Sequence, residues 1–344
     1  MKILHLDYRF AVIIAAIIFM ISCKNGSGTP APEVPIAGDT LKTQVPVEAP
    51  LVMDTVDYLK RISTLAHDSI SDKWPAKTAI PNPGAILPFK RIVAYYGNFY
   101  SKNMGILGQY PEDTLIEKLL AEVAYWNNAD PLTPVLPAIH YIAITAQSKP
   151  GAGNTFRLRM PEKQILRAIE LGEKVKGITF LDVQVGHSTI KAEVPTLEKY
   201  LLNENVHLGI DPEWSMKDGA IPGRKIGSLD ASDINFAIEF LTDLVKTNKL
   251  KPKILVVHRF TRGMITNSDK IKPTPEVQVV IDMDGFGFPA KKVDSYRRFV
   301  SGYPVQFTGF KLFYKNDILT SPYRMMTSEE VLNLFPKPIY IQYQ

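Results

Sequence analysis

From Phe89 to Gln344 short β-rich apolar runs alternate with segments of helical periodicity, a pattern that fits a parallel sheet wrapped by helices, the α/β class. The strand candidates are Arg91 to Tyr96, Val135 to Thr145, Gly177 to Val185, Val206 to Asp211, Lys253 to His258, Val277 to Met283, Phe307 to Phe313 and Pro338 to Tyr343, eight in all. Pro111-Glu112-Asp113 opens a helix with Leu115, Leu119 and Val123 on one face, and Pro161-Glu162 opens another with Ile165, Leu166 and Ile169. Leu197 to Leu202 suggests a short helix, and Asp230 with Asp233 three residues on caps a long one carrying Ile234, Ile238, Leu241 and Val245. Shorter helices are expected near 267–272, 290–300 and 327–335. Eight such units over 89–344 are what a (β/α)8 TIM barrel requires. The alternative is an open doubly wound sheet. Against it, no Gly-x-Gly-x-x-Gly or Walker-type loop follows any strand, and polar residues gather at nearly every strand end instead of at one switch point.

The barrel segment is preceded by something of a different kind. Lys2 and Arg9 lead into twelve apolar residues, Phe10 to Ile21, ending at Ser22-Cys23. A run of that length is too short to cross roughly 30 Å of hydrocarbon as a helix but matches a signal-peptide core of about 7 to 15 residues. Met20-Ile21-Ser22-Cys23 resembles a bacterial lipobox, which implies a lipidated Cys23, residues 1–22 as signal peptide, and a protein held at a membrane of the cell envelope facing periplasm or exterior. An ordinary signal peptide ending beside a cysteine, or an uncleaved signal anchor, is the plainer alternative. Residues 23–50 carry five prolines, three glycines and no aromatic residue, and read as a disordered tether. Residues 51–88 hold one helical pattern (Val56, Leu59, Ile62, Leu65) followed by Pro-rich loops, a lead-in to the barrel.

Charge and cysteine content exclude several classes. The 40 Lys+Arg against 35 Asp+Glu, a net +5 over 344 residues, is too mild and too spread to mark a nucleic-acid binder. Cys23 is the single cysteine, so neither an intrachain disulfide nor a multi-cysteine zinc site is open to this chain.

In a TIM barrel the chemistry sits at the C-terminal strand ends. Here those ends are polar: Tyr96 on the first, Asp182 and Gln184 on the third, Asp211 with Glu213 and Trp214 on the fourth, His258-Arg259 on the fifth, Asp282 and Asp284 on the sixth, Lys311 on the seventh and Gln342 on the eighth. Ionisable groups in an apolar barrel are costly unless they pair or serve a site. Carboxylates beside aromatic faces suit a carbohydrate, and glycoside hydrolysis needs one carboxyl to protonate the leaving oxygen and a second to attack or to activate water. Glu213, set between Pro212 and Trp214, is the candidate acid; Asp211, Asp282 and Asp284 compete for the partner role. Asp182, Gln184, His258, Arg259, Lys311, Tyr96, Trp214 and Gln342 are the candidate substrate contacts. Asp211 could instead terminate its strand by bonding backbone amides, Asp282 and Asp284 could flank a glycine turn, and Asp182 could serve His258 or Lys311. His140 reads as a core histidine, His207 lies at the opposite end of the barrel, and Trp74 and Trp126 read as packing. No His-x-His or His-Glu-x-x-His spacing organises a metal site, although a hard cation at Asp282 and Asp284 is conceivable, and no cofactor is expected.

Tyr95-Tyr96-Gly97-Asn98, Phe180 to Gly186, Val257 to Met264 and Gly309 to Tyr314 together resemble a group of uncharacterised secreted bacterial lipoproteins, which implies a shared fold and site but no reaction. More distantly the chain is similar to TIM-barrel glycosidases. It departs from their large retaining clan, which has Asn-Glu at strand four and Glu at strand seven where this chain has Pro212-Glu213 and Lys311. Three readings follow: a lipid-anchored hydrolase acting on a glycan or other envelope polymer by carboxylate acid/base chemistry, a non-catalytic glycan- or peptidoglycan-binding lipoprotein, and a metal-assisted phosphodiesterase-like hydrolase using His258, Arg259 and the aspartates.

Overall fold

The structure, a computed structural model, describes residues 52–344. The signal peptide, the Cys23 lipidation and the tether all lie outside the described residues, and no helix among the described residues is long and apolar enough to cross a membrane.

Eight parallel strands close into a barrel: β1 (Arg91–Gly97), β2 (Val135–Ala146), β3 (Ile178–Val183), β4 (Val206–Ile210), β5 (Lys253–Arg259), β6 (Val277–Met283), β7 (Phe307–Leu312) and β8 (Tyr340–Tyr343). Each pairs with its sequence neighbour, and β1 pairs with both β2 and β8, which leaves no free edge. A ninth strand, Arg157–Arg159, adds antiparallel to the far end of β2. The fold is the expected (β/α)8 barrel, with every strand within two residues of its expected ends.

The helices are α1 (Thr55–Leu65), α2 (Glu112–Ala129), α3 (Glu162–Lys174), α4 (Ile190–Glu193), α5 (Glu198–Leu201), α6 (Ala231–Asn248), α7 (Pro289–Tyr296) and α8 (Ser328–Leu332). The Asp230 and Asp233 side chains form the expected capping box on α6, whose Ile234, Ile238, Leu241 and Val245 are buried. Two expectations fail here. Residues 267–272 form only a single tight turn, Ser268–Lys270, because Asn267 takes a left-handed φ of 53° before it and Pro273 and Pro275 follow closely. On α3, Leu166 points to solvent while Ala168 and Leu171 complete the buried stripe with Ile165.

Period-two geometry divides the strands' side chains between two cores. Val93, Tyr95, Ile139, Tyr141, Leu181 and Val257 face outward to the helices. Ile92, Ala94, Ala138, Phe180, Val256 and Val280 fill the barrel's lower interior. The lower end is plugged by the lead-in: Leu87 is fully buried there, Gln278 Oε1 accepts from Ile86 N and Leu87 N at 3.1 Å each, and Gln278 Nε2 donates to Leu87 O at 2.6 Å. Ile62 and Leu65 of α1 pack on the same interior cluster, whereas Val56 and Leu59 remain exposed. A second brace ties Arg157 and Arg159 to buried Glu193 at 2.8 Å each.

Candidate active site

A cleft of about 670 Å³ opens at the C-terminal mouth of the barrel, lined among others by Tyr96, Gln184, Asp211, Glu213, Trp214, Asp284 and Lys311. A larger cavity of about 760 Å³ lies under α1 at the opposite end, with no carboxylate or histidine in its wall. Of these two cavities, the one at the mouth is the one lined by carboxylates.

Pro212 shapes one side of it. β4 ends at Ile210, and Pro212–Trp214 turns as a short 3-10 helix whose N-cap is Asp211. The strand does not continue to align Asp211 with Glu213. Proline suits the first position of such a turn, where its missing N–H is not needed. Asp211 Oδ1 accepts from Glu213 N at 3.3 Å, so Asp211 does bond a backbone amide while still reaching the cleft. On the other side, Lys311 Nζ lies 2.9 Å from Asp284 Oδ1 and 3.7 Å from the centre of the Tyr96 ring, a close cation–π contact. Tyr96 OH donates to Asp182 Oδ2 at 3.2 Å and accepts from Gln184 Nε2 at 3.4 Å.

A polar cluster lies directly beneath. His258 is fully buried, with Nδ1 3.1 Å from Asp284 Oδ2 and 3.5 Å from Asp282 Oδ2, and Nε2 3.4 Å from Asp182 Oδ1. His140 Nε2 reaches the same Asp182 oxygen at 3.3 Å. Two glycines make the space: a Cβ on Gly209 would stand 2.4 Å from Asp182 Oδ1, and one on Gly309 would stand 2.6 Å from Asp282 Oδ1.

The setting of each carboxyl separates their protonation. Burial, reinforced by the Asp284 charge, pushes Glu213 up to about 7. Burial and the neighbouring Glu213 push Asp211 well above the usual carboxylate range, and burial also raises Asp282. For Asp284 burial works upward too, but the Lys311 charge and the His258 contact hold it below its ordinary value. Asp182 is likewise held low against its burial by His258 and His140. Burial takes His140 down to about 4, while on His258 the Asp182 charge and its carboxylate contacts overcome burial and raise it well above an ordinary imidazole.

Of the residues singled out from sequence, Glu213, Asp211, Asp284, Lys311, Tyr96, Gln184 and Trp214 meet at the cleft. Asp182, His258, Asp282 and Gln342 do not reach it: all four are fully buried below its floor, Gln342 Nε2 donating instead to Tyr340 OH at 2.7 Å. Arg259 belongs elsewhere altogether. It follows His258 by one residue, so it faces outward, where its guanidinium lies 4.6 Å from the Tyr303 ring centre and donates to Arg262 O at 3.2 Å. His207 accepts from Ile254 N at 3.1 Å, and Trp126 is fully buried with its indole donating to Tyr343 OH at 2.9 Å. His140 was the residue sequence reasoning undervalued, since it is buried but its Nε2 is not satisfied. Its inward phase with Ala138 and Ile142 on β2 is the signal that could have found it. The loops add Phe286 and Phe313 to the cleft wall, and α7 adds Lys291.

No protein-family model matches the sequence, and no curated protein sequence matches it. Among solved structures, the chain is similar to a mannanase from Bacillus subtilis (10% identity, 86% of this chain and 86% of that chain covered, TM-score 0.40). It is similar as well to the YdhT protein from Bacillus subtilis (11% identity, 86% of this chain and 87% of that chain, TM-score 0.40).

Proposed function

We propose that the chain is a hydrolase that cleaves glycosidic bonds in an envelope or extracellular glycan, anchored to a membrane through lipidated Cys23. The observation that carries this reading is the contrast between two carboxyls in one cleft: Glu213 beside Trp214 with no cationic partner among the described ion pairs, and Asp284 fixed on Lys311 at 2.9 Å. Two carboxyls whose surroundings push their protonation apart are the pair that acid/base hydrolysis of an acetal uses. In this mechanism Glu213 gives its proton to the leaving glycosidic oxygen as the bond to the anomeric carbon breaks. Asp284 takes a proton from the water that attacks that carbon. Both Asp284 oxygens are already engaged, one by Lys311 and one by His258, which suits a base better than a nucleophile. Lys311 balances the Asp284 charge, and Trp214 and Phe313 line the cleft where sugar C–H surfaces would lie.

The non-catalytic reading is favoured by one observation, Lys311 in the strand where retaining barrels carry their second carboxyl. The phosphodiesterase reading loses its phosphate-binding arginine, because Arg259 faces outward. The full chain in detergent, incubated with a panel of envelope and plant glycans, tests the proposal by product release. Binding without product in wild type, unchanged in Glu213→Gln, would select the binding protein instead. Metabolic labelling with an alkynyl fatty acid tests the anchor; incorporation that survives Cys23→Ala removes it.

A further inference from the structure

We propose that His140 Nε2, Asp182 Oδ1 and His258 Nε2 form a binding site for one first-row divalent cation of the zinc class, beneath the floor of the cleft. The two nitrogens lie 3.3 and 3.4 Å from the shared oxygen, and the three atoms are all within 4.8 Å of one another. None of the three makes a hydrogen bond, although all three side chains are fully buried. Unpaired polar atoms are costly in an interior, and three that converge on one point call for a common partner. A shared proton serves poorly, because the separations exceed the usual N–H···O range of about 2.7–3.2 Å and the ring nitrogens are not aligned on the oxygen. A metal ion fits the two nitrogen-to-oxygen spacings, and the nitrogens lie within 4.8 Å of each other. Donors about 2.0–2.1 Å from a tetrahedral zinc stand roughly 3.3–3.4 Å from each other.

Two of the three outer atoms are hydrogen-bonded as metal ligands require, while His258 Nδ1 has a carboxylate beside it. His140 Nδ1 is 2.6 Å from Tyr340 OH, Asp182 Oδ2 accepts from Tyr96 OH at 3.2 Å, and His258 Nδ1 is 3.1 Å from Asp284 Oδ2. With a proton on each Nδ1 and the ion in place of the proton on His258 Nε2, both Nε2 lone pairs face the site. Phe180 stacks on the His140 ring at 5.1 Å between centres and fixes its plane. Gly209 leaves the approach open, since a Cβ there would stand 2.5 Å from His140 Nε2. Two imidazoles and one carboxylate favour zinc, cobalt or nickel over magnesium or calcium. Three protein donors are one short of a closed tetrahedron, so a water oxygen completes the set. Placed under Tyr96, the ion positions Tyr96 and Asp284 from below and is separate from the glycan reading of the cleft.

The test uses the full chain in detergent, stripped with a chelator, loaded with Zn²⁺ or Co²⁺ and desalted. We expect stoichiometric metal by mass spectrometry, an intense visible band of tetrahedral Co²⁺, and a higher Tm after loading. Tyr340→Phe, which removes the hydroxyl beside His140 Nδ1 and the acceptor of Gln342 Nε2 but none of the three donors, should weaken Zn²⁺ affinity about 10- to 100-fold, and His140→Gln should weaken it further. Wild type that retains no stoichiometric metal overturns the proposal. Anomalous scattering that places the ion elsewhere does so too, as does nitrogen-15 NMR of the loaded protein showing both His258 ring nitrogens protonated. If His140→Gln fails to fold, the Tyr340→Phe affinity and the anomalous position decide. No arm reads turnover, so failure here is distinguishable from failure of the glycan reading.

Discussion

Lys311 Nζ stands 2.9 Å from Asp284 Oδ1 with both side chains largely buried in the cleft wall, so each charge depends mainly on its partner. Removing one member of a buried pair leaves the other uncompensated, at about 3–5 kcal/mol. Lys311→Met should lower stability by an amount in that range, and adding Asp284→Asn to it should restore a large part. Urea unfolding of the two single variants and the double variant measures the coupling; a double variant no more stable than Lys311→Met would contradict it.

Glu213 gives the cleft a pH dependence. Its carboxyl is pushed up to about 7, so turnover should fall as pH rises through that value and the acid loses its proton. Glu213→Gln should lower kcat by about 10²- to 10⁴-fold and abolish that limb of the profile. The same shift acts on folding. A raised carboxyl favours the folded state below its unfolded pKa, and that contribution is lost as pH rises through about 7. Wild type should therefore lose more stability than Glu213→Gln between mildly acidic and neutral pH, as chemical unfolding at several pH values would show.

Gly209 is predicted to tolerate no side chain. The Cβ of Gly209→Ala would lie 2.4 Å from Asp182 Oδ1 and 2.5 Å from His140 Nε2, both on fully buried side chains. Overpacking of this kind costs about 1–3 kcal/mol. The expected result is a lower Tm together with a displaced His140 resonance in NMR spectra; an unchanged Tm would show that the cluster is looser than its distances imply.

Arg259→Met is the contrasting case. The guanidinium is buried over Tyr303 outside the barrel wall, so its loss should cost about 2 kcal/mol or more of stability and leave glycan binding and kcat/KM unchanged. A loss of binding would mean that the outer face takes part in recognition.

The fold was legible because each barrel strand is a Val- and Ile-rich run bounded by turn residues, and because β/α alternation leaves few architectures open. Half of the candidate site was legible for the same reason: Glu213 and Asp284 follow strand ends and Lys311 is the last residue but one of its strand, where a barrel's mouth must be. Depth was not. Asp182, Asp282 and Gln342 share the inward phase of the cleft residues, but how far down the barrel each sits depends on the stagger between neighbouring strands, which local pattern does not encode. Arg259 is a different kind of miss. Period two already placed it opposite His258, and its chemistry was given more weight than its phase.

The lead-in fixes more than the barrel floor. Lys337 N donates to Leu65 O at 2.8 Å, Leu87 plugs the lower end, and the helix before it lies across that same end, so the chain enters the barrel from the side opposite the cleft. Any attachment made upstream of Thr55 therefore pulls on the closed end. None of the described residues before β1 lines the cleft, so the lead-in leaves the mouth of the barrel uncovered.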